Sequence, residues 1–140
     1  MIRQSIDPAC GEILVGDLTP VRDFTFVTDT AAAFLAIGRA DGVEYGVAYN
    51  GGTGVGVSIG DAMSTILNVT GCNKPVVQDR DRQRPQKSEV FALIADNSKL
   101  QRATGWRPGV ALREGVEATV GWWQPRLASG KVRQGARFLI

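Results

Sequence analysis

The sequence predicts a mixed α/β (α+β) chain in which short strands and helices alternate irregularly. Three observations lead there. Strand-like runs of five to seven residues recur through the first eighty positions, and apolar residues at helical spacing follow two of them. A 140-residue length with 44% hydrophobic and 21% charged residues suits one soluble domain with its own core.

Taken in order, "EILVGD" (Glu12 to Asp17) and "RDFTFV" (Arg22 to Val27) read as strands, after which Thr28 and Asp29 offer N-cap chemistry for a helix through "AAAFLAIGRA" to Ala40. "EYGVAYN" (Glu44 to Asn50) alternates like a strand and leads into a glycine turn. Ser58 stands three residues before Asp61, an Asp version of the capping box, and Ile59, Ala62, Met63, Ile66 and Leu67 recur at helical spacing up to Gly71. "PVVQD" (Pro75 to Asp79) is a further strand. Asp96 can cap a short helix through Ala103 that ends at Gly105, and Leu112, Val116, Val120 and Trp123 mark a last amphipathic helix. "PRLASGKVRQGARFLI" has no clear period. The expected organisation is a domain over 1–124 and a tail over 125–140 that is loose or ordered by a partner.

Several classes of function are disfavoured. A net charge of +2, with 16 basic and 14 acidic residues interspersed, is no nucleic-acid footprint. The longest apolar run, Ala31 to Ile37, is too short for a membrane span, and the opening residues lack a secretory core, so a cytoplasmic location is expected. With no histidine in the chain, Ser-His and Cys-His pairs and histidine metal sites are out. Cys10 and Cys72 read as reduced thiols without a chemical role, and no metal or catalytic residue is assigned.

Two motifs invite a phosphate. "NGGTGVGVS" (Asn50 to Ser58) stands where a dinucleotide loop would, but Gly52, Gly54 and Gly56 give G-x-G-x-G, and the helix cap lies beyond the cluster; a turn is the better reading. In "DRDRQRPQK" (Asp79 to Lys87), Arg80 and Arg82 alternate with Asp79 and Asp81 as a solvated loop would. Arg84 has no acid within two positions, and Pro85 biases it to an extended backbone, so its guanidinium is a candidate for bidentate phosphate binding. The Arg22-Asp23 pair reads from the residues alone as an ion pair. Trp106, Trp122 and Trp123 read as core and interface residues.

In order, "GDLTPVRDFTFVTDTAAAF", "VAYNGGTGVGVSIGD", "RPQKSEV" and "ADNSKLQRATGWRPGVALREGV" resemble the extended short-chain dehydrogenase/reductases, in particular the nucleotide-sugar epimerases and 4,6-dehydratases, over about Ile2 to Trp123. The resemblance implies the substrate-binding subdomain of such an enzyme, with no counterpart here to the preceding dinucleotide-binding (Rossmann) half. It also implies that Arg22 and Arg84 hold the diphosphate of a nucleotide sugar and that Glu89 grips the ribose hydroxyls. NAD(P) is implied only for a full-length relative. Neither Tyr45 nor Tyr49 has a lysine four positions on, so the family's Tyr-x-x-x-Lys pair is missing and the chain is not expected to be active alone. Asn50 matches the end of the family's "YN" strand, and Ala111 stands where a Ser or Thr cap is usual. Three readings stay open: a noncatalytic fragment binding a nucleotide diphosphate sugar, a homo-oligomeric assembly protein, and one half of a split NAD-dependent dehydratase or epimerase.

Overall fold

A computed structural model describes residues 1–82 and 90–132. Its elements run α1 (Ile2–Ile6), β1 (Ile13–Val15), β2 (Val21–Asp23), α2 (Val27–Arg39), β3 (Gly56–Ser58), α3 (Ile59–Thr70), β4 (Val76–Gln78), a 3-10 turn (Arg80–Arg82), β5 (Ala92–Leu93), α4 (Ser98–Thr104) and α5 (Leu112–Ala128). The mixed α/β class is as expected. Two small sheets carry it: β1 beside β4 in parallel, and β2 between β3, antiparallel, and β5, parallel.

Strand alternation and helical periodicity meet in the main core. Ile13 and Val15 project from one side of β1 and are buried against Met63 and Ile66 of α3 and Val116 and Val120 of α5. Lys74 ties α1 to this core by donating Nζ to the carbonyls of Gln4 (2.8 Å) and Asp7 (2.7 Å) near the helix C-terminus. Ala33 of α2, Leu100 of α4 and Trp106 form a second core, with Tyr49 packed on it.

Local signals were reliable where they were complete. Ser58 caps α3 by accepting from Asp61 N at 2.9 Å, and Gly71 closes the helix in the left-handed region at φ 63°. The Asp61 carboxylate accepts from the Ser58 hydroxyl (2.7 Å) and not from its main chain, so the box is closed differently from the usual one. Ser58→Ala is expected to cost about 1 kcal/mol, read as a lowered urea midpoint at unchanged m.

Elsewhere the structure departs from expectation. The cap of α2 is Phe26, with Thr28 and Asp29 already inside the first turn; the buried Asp29 carboxylate instead accepts from Gly109 N (3.1 Å) and Val110 N (3.0 Å), binding α2 to the approach to α5. Asp96 sits one place before the α4 cap, Asn97, and accepts from Ser98 N at 2.9 Å. The segment Glu44 to Asn50 is not a strand. Gly46, at φ 77°, turns it back so that the Tyr49 hydroxyl accepts from Glu44 N at 3.0 Å, and no strand among the described residues pairs with it. Half of the expected glycine turn is instead β3, whose register on β2 supplies the hydrogen bonds.

The last helix runs past the expected boundary at 125 to Ala128. Pro125 removes one backbone donor, and Arg126 bridges the turn by stacking on the Trp122 ring (3.6 Å) while donating to the Trp122 carbonyl (2.9 Å). At its start Ala111 provides no side-chain cap, but Glu114 accepts from Ala111 N at 3.2 Å, so one half of a capping box remains. Cys10 and Cys72 are unbridged. Among the described residues no helix is long and apolar enough to cross a membrane, and no cluster of metal-ligating side chains occurs.

Candidate functional site

Strand β2 carries the candidate site because it is the centre of the three-stranded sheet. Its register sets Arg22 opposite Val57 on one side and Leu93 on the other. Arg22 Nη1 donates to the Val21 carbonyl at 2.8 Å and to the Phe91 carbonyl at 3.4 Å, so the guanidinium is tied to the strand that follows the basic stretch. It opens on a groove of about 470 Å³, whose walls include Thr25, Tyr49, Asn50 and Leu93. Arg84 and Glu89, the other two residues expected to bind a nucleotide sugar, lie outside the described residues.

The described residues on either side of 83–89 are anchored. Arg82 closes the near end: its Nε lies 3.2 Å from Asp79 Oδ2, and its Nη1 donates to the Leu14 carbonyl at 3.3 Å. Arg82 is therefore half-buried against β1 and is not the freely solvated side chain expected, whereas Arg80 is exposed as predicted. Gly16, just after β1, abuts this turn so closely that a Cβ there would lie 2.6 Å from the Arg82 carbonyl oxygen. At the far end, Val21 N donates to Phe91 O at 2.8 Å and leads the chain into β5.

Asp23 is the residue that sequence reasoning misjudged. Instead of a simple ion pair with its neighbour, its carboxylate straps down the glycine cluster: Oδ1 accepts from the main-chain N and hydroxyl of Thr53, and Oδ2 from Gly54 N (2.9 Å) and Ala95 N (3.3 Å). Burial alone would raise its pKa; the hydrogen bonds from the Thr53 hydroxyl and from the Thr53, Gly54 and Ala95 main chain outweigh that and hold it below the usual carboxylate value. Gly52 is needed beneath this carboxylate, since a Cβ would stand 2.7 Å from Asp23 Oδ2 and 2.5 Å from Ala95 Cβ. Asn97, also unforeseen, is buried and donates to the Gly52 carbonyl at 2.7 Å, and Asn50 donates to the Asp96 carbonyl at 3.2 Å. The cluster is thus a structural turn, as its spacing indicated: its main-chain donors at 53 and 54 are spent on Asp23.

The family model for GDP-mannose 4,6 dehydratase matches residues 3–119, most of the chain. The chain belongs to this family. Among curated relatives within reach of the family, the UDP-glucose 4-epimerase of Mycolicibacterium smegmatis is 31% identical over 107 residues, which is 76% of this chain and 32% of that protein. The GDP-6-deoxy-D-mannose reductase of Pseudomonas aeruginosa is 27% identical over 113 residues, 81% of this chain and 36% of that protein. The chain therefore spans about a third of the length of the curated relatives it matches.

Family members of known structure share the fold. UDP-glucose 4-epimerase from Thermotoga maritima, solved with UDP-glucose, superposes with a TM-score of 0.73 at 29% identity, covering 91% of this chain and 37% of that one. RMD from Pseudomonas aeruginosa, solved with NADPH, gives 0.76 at 25%, covering 89% and 40%. The relatives include epimerases and a reductase, so membership in the dehydratase family does not by itself assign a reaction.

Proposed function

We propose that this chain binds a nucleotide diphosphate sugar and does no redox chemistry alone. The observation that supports the reading best is the β2–β5 register, with Arg22 Nη1 reaching the Phe91 carbonyl: in the sequence Glu89 is two positions before Phe91 and Arg84 five before Glu89, so both expected ligand residues are near in the chain to the residue that Arg22 touches. Arg22 and Arg84 then supply two bidentate guanidinium forks for a diphosphate, and Glu89 accepts from ribose hydroxyls. Relatives matched over a third of their length act on UDP- and GDP-linked sugars, by their names. The missing Tyr-x-x-x-Lys pair supports the noncatalytic half of the proposal.

Calorimetry with UDP-glucose and GDP-mannose, against AMP as control, tests the proposal. Binding of at least one sugar nucleotide above the control is expected. Arg84→Ala should weaken it about tenfold or more, equivalent to about 1.4 kcal/mol or above for a lost charge-assisted pair. Heats no greater than those of AMP for both sugar nucleotides would refute the ligand.

A further inference from the structure

An apolar hollow of about 400 Å³ lies between α1, α3, α5 and the segment that joins β2 to α2. Phe24 and Phe26, two positions apart in that segment, line one side, and Ile66 of α3 with Leu112, Val116 and Trp123 of α5 line the others. Gly115 lets the Phe26 ring rest on α5, since a Cβ there would stand 3.0 Å from Phe26 Cδ2. The volume is that of a small-molecule site. Two threonine hydroxyls on the wall are already donating, Thr25 to Asp23 Oδ1 (3.3 Å) and Thr119 to the Gly115 carbonyl (2.7 Å). Among the described residues of the wall, Arg3 is the one charged side chain. Its Nε is buried without a hydrogen-bond partner among the described residues: Asp7 Oδ2 forms an ion pair with it at 3.7 Å, beyond hydrogen-bond reach, while Asp7 Oδ1 accepts from Ala9 N at 3.0 Å. A buried donor left over beside an apolar hollow calls for an acceptor from outside the chain.

We propose that this hollow binds a small aromatic monocarboxylate, with its ring among Phe24, Phe26 and Trp123 and its carboxylate accepting from Arg3. A flat ring packs offset or edge-on against aromatic side chains, which accounts for the ligand's body. One cation answers one negative charge, and a second charge would lose its water without gaining a partner on this wall. The charge-assisted bond to a guanidinium then fixes the orientation. A nucleotide sugar fits the hollow poorly, because its diphosphate carries more charge than Arg3 balances and its hydroxyls would meet mostly apolar side chains. The site is therefore separate from the groove beside Arg22, with which it shares only Thr25. The inference goes beyond the sugar-nucleotide reading and does not rest on it.

The probe is naphthalene-2-carboxylate, titrated into the whole chain by calorimetry and followed by the indole N–H resonance of Trp123. A Kd of about 1 mM or tighter is expected, with a shift of that resonance. The uncharged naphthalene-2-carboxamide should bind about tenfold more weakly. Arg3→Gln should weaken the carboxylate about tenfold and leave the carboxamide unchanged, a split that a general loss of structure would not produce. Thr119→Phe, which puts a ring into the hollow, should abolish binding of both; Arg3→Gln leaves the core untouched, so the proposal stays testable if that second variant does not fold. A carboxylate Kd weaker than about 1 mM would overturn the proposal. So would equal affinities for carboxylate and carboxamide, or an unchanged carboxylate affinity in Arg3→Gln. UDP-glucose should leave the naphthalene-2-carboxylate affinity unaltered, and its own heats report on the Arg22 groove, so either reading can fail without the other.

Discussion

Asp23→Ala is expected to destabilise the chain by about 2–3 kcal/mol, because one carboxylate satisfies three main-chain donors and the hydroxyls of Thr25 and Thr53, all of which the substitution leaves without it. Asp23→Asn should rescue little. One amide oxygen can still accept, but the NH2 on the other side would face main-chain N–H groups that also donate. The wild-type carboxylate has a folded pKa below its unfolded value, which is about 3.9. Its contribution is therefore fully present above that value and is lost as pH falls through the folded pKa. Urea titrations between pH 7 and pH 3 should show wild-type stability falling as the medium acidifies and a shallower fall in Asp23→Asn, with the residual slope including Asp17 and Asp96, whose pKa values are also lowered. Parallel slopes in the two proteins would show that Asp23 is not ionised against the glycine cluster. Since the strap also fixes the loop beside Arg22, sugar-nucleotide affinity should fall with stability in the alanine variant.

What the sequence disclosed follows from how far each interaction reaches along the chain. Helix α3 was legible because Ser58, Asp61 and Gly71 act within its own span. Strands β3 and β5 were not, being three and two residues long and existing only as partners of β2. The 44–50 segment is the converse case: its alternation is intact, but a strand pattern specifies a ladder only when another strand is present to complete it. Within the candidate site, Arg22 was legible through resemblance to the family, while the role of Asp23 was not, because the main-chain donors it gathers lie 30 to 72 positions away in sequence. Spacing alone did dismiss the glycine cluster as a phosphate cradle, and the hydrogen bonds to Asp23 give the physical reason.

Leu100→Ala is expected to cost about 2–5 kcal/mol, at the scale of a buried leucine truncated in a core that collapses only partly. Leu100 is 2% exposed, the most buried side chain of the second core, where it meets Ala33 of α2 and Trp106. Gly51 lies against it as well, a Cβ there falling 3.8 Å from Leu100 Cδ2, so the cavity would open directly under the turn that leads to the glycine cluster. Phe34→Ala, one position along the same helix from Ala33 but 73% exposed, should change the free chain's stability by no more than about 0.5 kcal/mol. The contrast measures which side of α2 the isolated chain uses. Urea unfolding that gave a large loss for Phe34→Ala and a small one for Leu100→Ala would mean that the outer face is already covered, and that α2 is held from the side opposite to the one described. A large loss for Leu100→Ala alone would show that α2 is supported from beneath, by the core of Ala33, Leu100 and Trp106.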